Sequence, residues 1–295
     1  MRKLALSDEI LLKVDKAARY IGGEVNSVMK DKNEVEIRFA MCFPDVYEIG
    51  MSNLGMMILY NMFNQREDVW CERLFSPWPD LDKVMREKKI PLFALESQEP
   101  IRDFDFLGIT IGYEMCYTNI LQVLDLSGIP LKSADRGEDF PIVIGGGACA
   151  YNPEPLAPFF DMFYIGEGET VYDALFDAYK ANKKAGGSRR DFLLAAAKIP
   201  GIYVPSLYEV TYKEDGTIAS FAPTADGVPE KVQKQLIIDM EKEYRAVEAP
   251  VVPHIKATQD RVTLEIQRGC IRGCRFCQAG MIYRPTRERD VEDRK

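Results

Sequence analysis

The stretch GCIRGCRFCQAG, residues 269–280, holds three of the chain's seven cysteines at the spacing C-x3-C-x2-C. Three thiols so close together suit a soft metal or redox chemistry. A structural zinc site takes four ligands, usually as two pairs. The single histidine, His254, lies sixteen residues before Cys270 and next to a proline, so a fourth zinc ligand would have to come from a distant cysteine. A disulfide would leave one thiol over, and a ferredoxin-type cluster takes four thiolates. Three thiolates alone suit a [4Fe–4S] cluster with one iron left open to substrate or cofactor.

The elements that carry these thiols read as two periods in alternation. Residues 35–43, 69–75, 91–97, 104–113, 141–147 and 161–168 are short apolar runs of strand character. Helical spacing falls at 8–19, 52–63 (with Ser52 placed as its cap), 79–89, 117–127 and 169–184. Strands alternating with helices predict a doubly wound parallel sheet over residues 1–200. Residues 208–221 hold Asp-Gly between two alternating runs, the mark of a hairpin. Residues 201–261 are expected to be this hairpin and a connecting segment, with one strand near 235–239. VTLEIQ, 262–267, reads as a fresh strand that delivers the chain into the cysteine loop, so 262–295 forms a third unit.

Two Gly-rich loops fall where a parallel sheet binds ligands, at strand carboxyl ends. GGGACAYNPEP (145–155) fails as a phosphate cradle because Pro153 and Pro155 interrupt the helix it would feed. In GEGET (166–170), Glu167 and Glu169 would repel a phosphate. A ligand at this edge is expected against Gly145–Ala148 and the 44–53 loop. Met51, Met56, Met57 and Met62 read as core filling. Cys42, Cys71, Cys116 and Cys149 read as packing residues.

Of 38 basic and 46 acidic groups, residues 268–295 hold eight and four, so a body of −12 carries a tail of +4. An acidic body grips nucleic acid poorly. The arginine-rich tail reads as a solvated surface, with contact to RNA as the alternative. No apolar run approaches the length of a membrane span, and Asp8 and Glu9 interrupt any signal-peptide core. A cytoplasmic, thiol-reducing setting is expected.

The cysteine spacing, with Phe276 just before the last cysteine and an apolar strand leading in, resembles the radical S-adenosylmethionine (SAM) signature. FPDVYEIGMSNLG (43–55), IGGGACAYNPEPLAPFFD (144–161) and YIGEGE (164–169) resemble the Rossmann-like, cobalamin-binding-type domain that precedes the barrel in one branch of those enzymes, and QRGCIRGCRFCQAGMIYRP (267–285) is similar to a poorly characterised group within it. The resemblance implies that Cys270, Cys274 and Cys277 ligate three irons of a [4Fe–4S] cluster and that the fourth iron chelates SAM. It implies that Phe276 contacts the adenine, and that an electron donor such as flavodoxin or ferredoxin serves the cluster. Reductive cleavage of SAM would give a 5′-deoxyadenosyl radical acting on a small molecule or tRNA, with no membrane involved. Cobalamin domains that replace the lower base use Asp-x-His-x-x-Gly. The comparable loop here, Asp45 to Gly50, has no histidine, so histidine ligation of any cobalamin is not expected. A barrel needs on the order of 200 residues, whereas eighteen follow Cys277. The expectation is therefore an N-terminal portion with a truncated (β/α) barrel, inactive by itself. The rival reading is a non-enzymatic zinc-binding or scaffolding module.

Overall fold

The computed structural model describes residues 3–240, 242, 247–261 and 263–290. Six strands form one sheet: β1 (Ile37–Phe43), β2 (Val69–Phe75), β3 (Phe106–Thr110), β4 (Ile142–Gly146), β5 (Met162–Tyr164) and β6 (Ile202–Tyr203). Their order is β2-β1-β3-β4-β5-β6, with β1 to β5 parallel and β6 antiparallel at the edge. The helices are α1 (Asp8–Leu11), α2 (Tyr47–Gly50), α3 (Leu54–Gln65), α4 (Pro79–Lys88), α5 (Tyr117–Leu126), α6 (Tyr172–Lys184) and α7 (Arg189–Ala196).

Alternation along β1 explains the layers. Ile37, Phe39, Met41 and Phe43 pack with Met56 and Phe63 of α3, Phe176 of α6 and Phe192 of α7. Ala40 and Cys42 point the other way, into a core with Leu81 and Met85 of α4 and Ile120 and Leu124 of α5. Both faces are therefore covered, as a parallel sheet requires. The order reverses between β1 and β3, and such a switch point opens a crevice at the strand carboxyl ends.

Several expected elements are shorter or absent. The 8–19 helix stops at Leu11 and Lys16 is left-handed (φ 52°), because Arg19 is drawn down into a buried double hydrogen bond with Glu48 at 2.8 and 2.9 Å. Residues 91–97 form no strand. Leu95 N–H donates to Arg73 O (2.9 Å) and the Glu96 carboxylate accepts from Arg73 N–H and Nε (both 2.6 Å), so this stretch serves β2 as a bent strap. The cap of α3 is Asn53, whose side chain accepts from Met56 N–H (2.9 Å); the Ser52 hydroxyl donates to Glu48 O (2.8 Å). Near 235–239 there is only a bridge between Gly166 and Gln235.

The hairpin forms as β7 (Tyr208–Tyr212) and β8 (Ile218–Pro223). Thr263–Ile266 take no strand, and Val262 lies outside the described residues. The ladder beside the cysteines is instead β9 (Gln267–Arg268) against β10 (Arg287–Glu288), with the short helix α8 (Ala279–Ile282) between them. Among the described residues, no helix is long and apolar enough to cross a membrane.

Candidate functional site

A cavity of about 590 Å³ lies at the carboxyl edge of the sheet, between the sheet and helices α3 and α6. Its depth is apolar: Phe39 and Met41 of β1, Ile144 of β4, Leu59 of α3 and Tyr172 of α6. Gly108 on β3 helps to set the floor, since a Cβ there would meet the Phe39 ring at 2.3 Å. Asn53, Thr110 and the backbone of Gly146–Ala148 form a polar rim. Gly147 holds a positive φ of 105°, and a Cβ there would meet Ile111 O at 2.9 Å, so the turn requires glycine. Of the expected Gly145–Ala148 stretch, Gly146, Gly147 and Ala148 line the cavity and Gly145 does not. Of the 44–53 loop, only Asn53 reaches the cavity; Asp45 instead accepts from Tyr113 OH at 3.3 Å and Val46 N–H at 2.7 Å.

The opposite wall comes from the cysteine segment: Glu265, Gln267, Arg268, Gly269 and Tyr283. Gly269 has φ 93°, and a Cβ there would meet Pro285 O at 2.6 Å and Tyr283 O at 2.7 Å. The chain therefore turns tightly just before Cys270. Cys270 and Cys277 are half-buried and Cys274 is exposed; Phe276 is 92% exposed. Cys277 N–H bonds Cys274 O at 3.1 Å, and Arg272 N–H lies 3.4 Å from Cys270 Sγ. Among the described residues, no three His, Cys, Asp or Glu side chains converge as a metal-holding group. The other four cysteines are buried, and burial pushes the Cys42 and Cys71 thiols up.

The sequence reading missed what Glu167 and Glu169 do. The Glu167 carboxylate takes a two-pronged bond from Arg287 (2.7 and 2.7 Å), accepts from Ile237 N–H (2.8 Å) and lies 3.4 Å from Arg268 Nη1. Glu169 pairs with Arg268 at 2.6 Å, and Glu265 with the same guanidinium at 2.9 Å. Burial alone would raise the Glu167 carboxyl, but the Arg287 bonds, the Ile237 N–H and the nearby Arg268 hold it below the usual carboxylate range. Burial of Arg268 is outweighed by Glu265 and Glu169, which push its guanidinium up. Two arginines of the basic tail are thus internal partners of acids on the sheet domain, where the expectation was a solvated surface. The signal was available as two acids in one loop and two arginines bracketing the cysteines, but no local rule pairs residues about 100 apart.

The chain is 26% identical over 255 residues to an uncharacterized protein of Methanocaldococcus jannaschii, covering 86% of this chain and 44% of that one. It spans less than half the length of this relative. Among solved structures it is similar to the cobalamin-dependent S-adenosylmethionine radical enzyme OxsB with aqua-cobalamin and S-adenosylmethionine bound, at TM-score 0.50 and 16% identity, over 99% of this chain and 36% of that chain. That likeness shows a shared fold. The radical S-adenosylmethionine methyltransferase TsrM from Kitasatospora setae matches at TM-score 0.34 and 16% identity, over 66% of this chain and 36% of its own. Residues 55–205, half of the chain, match the family described as "Radical SAM proteins, N-terminal", and the chain belongs to that family.

Proposed function

We propose that this chain is the N-terminal portion of a radical SAM enzyme in which Cys270, Cys274 and Cys277 hold a [4Fe–4S] cluster. Residues 1–200 form its ligand-binding Rossmann-like unit and 262–295 begin the catalytic unit. The observation that carries the reading is the shared wall: Gln267–Gly269, directly before Cys270, line the cavity at the sheet's carboxyl edge. A ligand in that cavity would lie against the chain that leads directly into Cys270. The donor set fits the cluster, being three soft thiols on one short, glycine-bracketed loop.

When bound, the cluster supplies the electron that breaks a sulfonium C–S bond of SAM. The chain's own residues have separate tasks. The three thiolates would ligate iron, Gly269 turns the backbone tightly ahead of them, and the exposed Phe276 ring is available to an adenine edge. The cavity, apolar at Phe39, Met41, Leu59, Ile144 and Tyr172 and polar or charged at Asn53, Glu167, Glu169, Glu265 and Arg268, fits an amphipathic ligand. If that ligand is a cobalamin, as OxsB binds, this chain offers it no histidine. His254 Nε2 is 3.2 Å from Gly22 O, and the residue is absent from the cavity wall. The substrate class is a small molecule, with tRNA as the alternative.

Anaerobic reconstitution with iron and sulfide tests the reading. The expected outcome is a brown protein with about four irons per chain, lost when Cys270, Cys274 and Cys277 are all replaced by Ala. Unchanged iron in the triple variant, or one zinc per chain and no iron in the protein as isolated, would sink it.

A further inference from the structure

The loop that carries the three thiols runs from Gly269 to Thr286 and is closed at its base by the two-residue ladder of β9 and β10. In the register of that ladder, Arg268 stands directly opposite Arg287. Like charges directly opposite on a strand pair repel, and two residues of ladder with one flanking bond, Arg289 N–H to Ile266 O at 3.1 Å, are little against the entropy of holding a long loop shut. The ladder therefore needs help from outside itself.

Glu167 supplies it. Its carboxylate lies between the two guanidinium groups, 2.7 Å from Arg287 and 3.4 Å from Arg268. The acid is itself firmly placed. Gly166, at φ 139°, lies so close to the Gln235 backbone that a Cβ would meet Gln235 O at 2.3 Å. Glu167 N–H donates to Gln235 O (3.0 Å), and Ile237 N–H donates to the carboxylate (2.8 Å). Arg287 is equally constrained, since its Nη1 also donates to Ile237 O at 2.6 Å and its Nε to Pro285 O at 3.0 Å. Lys234 adds a further tie through Arg284 O at 2.9 Å.

We propose that Glu167 is a positioning residue for the cysteine loop: it is the counter-ion that lets two opposed arginines close the loop, so the sheet domain sets the pose of Cys270, Cys274 and Cys277. Glu169 and Glu265 assist by sharing Arg268, at 2.6 and 2.9 Å. The proposal rests on the reading of these thiols as cluster ligands for its functional meaning. Its test uses the metal-free chain, so its failure is distinct from failure to bind iron.

The experiment is alkylation of the reduced, metal-free full chain by iodoacetamide, with each cysteine followed by mass spectrometry. In the native chain Cys274 reacts fastest, and Cys270 and Cys277 are slower. In Glu167→Gln the rates at Cys270 and Cys277 are expected to rise about tenfold, as local opening becomes frequent, while buried Cys42 and Cys71 stay silent. In Glu167→Gln/Arg287→Gln the repulsion is gone and the rates return toward native values, which a merely space-filling role for Glu167 would not produce. Native rates in the single variant, or no recovery in the double, overturn the proposal. Should Glu167→Gln also expose Cys42 and Cys71, Arg287→Lys decides. It keeps the charge and loses the two-pronged fork, so faster Cys270 and Cys277 with a silent core supports the proposal and unchanged rates refute it.

Discussion

Arg73 has a fully buried side chain in the middle of β2, yet burial does not cost it its charge. Burial would lower its pKa, but Glu96 at 2.6 Å and Glu24 at 2.8 Å push it up. Tyr60 and Tyr47 hydroxyls donate to these two carboxylates at 3.0 and 2.9 Å. The group ties the 91–97 strap and the 20–28 segment to the sheet. A buried pair stripped of one partner leaves an uncompensated charge. Arg73→Met is therefore expected to destabilise the chain by about 3–5 kcal/mol in urea unfolding at neutral pH, and Glu24→Gln in that background to recover part of the loss. A cost below about 1 kcal/mol would mean that the network is not what holds the strap.

Among the elements, the join between the β5 loop and the β9–β10 ladder is an acid–base contact with a pH limit. The folded-state pKa of Glu167 is depressed, so its contribution is fully present above the unfolded value of about 4.3 and is lost as pH falls through the lower folded value. The titratable groups facing it include Arg287, Arg268, Lys234, Tyr151, Tyr164 and Tyr283. Burial lowers Lys234 from a value far above this window, raises Tyr164 and Tyr283, and pushes Tyr151 up to about 12. Amide protection of residues 267–288, corrected for intrinsic rate and referred to β1, should be flat from neutral pH to about 5 and fall below about 4. Glu167→Gln should remove that dependence. A native-like fall in the variant would assign the pH response to another group.

For the molecule as a whole, the cavity joins the sheet domain to the cysteine segment, and its wall contains no histidine. His254, the chain's single histidine, is spent on the N-terminal segment through Gly22 O. Its neighbourhood zips the two segments together: Val25 bridges Val252, and Asn26 donates to Pro250 O at 2.9 Å. Hydroxocobalamin added to the full chain, then reduced to the cobalt(II) state, should give no histidine-nitrogen splitting in electron paramagnetic resonance. His254→Ala should leave any binding unchanged. Nitrogen splitting that disappears in His254→Ala would overturn the assignment of this histidine to a structural role.

What the sequence determined by itself were the features with a short-range cause. Apolar periods gave β1, β2, β4 and most helices, since alternation at two or about 3.6 residues is local geometry. The parallel order followed because strands alternated with helices, and the hairpin followed from Asp215-Gly216. The thiol spacing singled out one loop, to which the proposed function assigns the chemistry. The tertiary structure decided whatever depended on partners far along the chain. Residues 91–97 have strand composition but bend to serve Arg73, and 8–19 breaks because Arg19 is needed at Glu48. Thr263–Ile266 form no strand although apolar residues alternate there, because pairing falls two residues later, where Arg268 meets Arg287 beside Glu167. Ion pairs of that kind have no periodicity. Their energy is realised only when the fold removes both charges from water together.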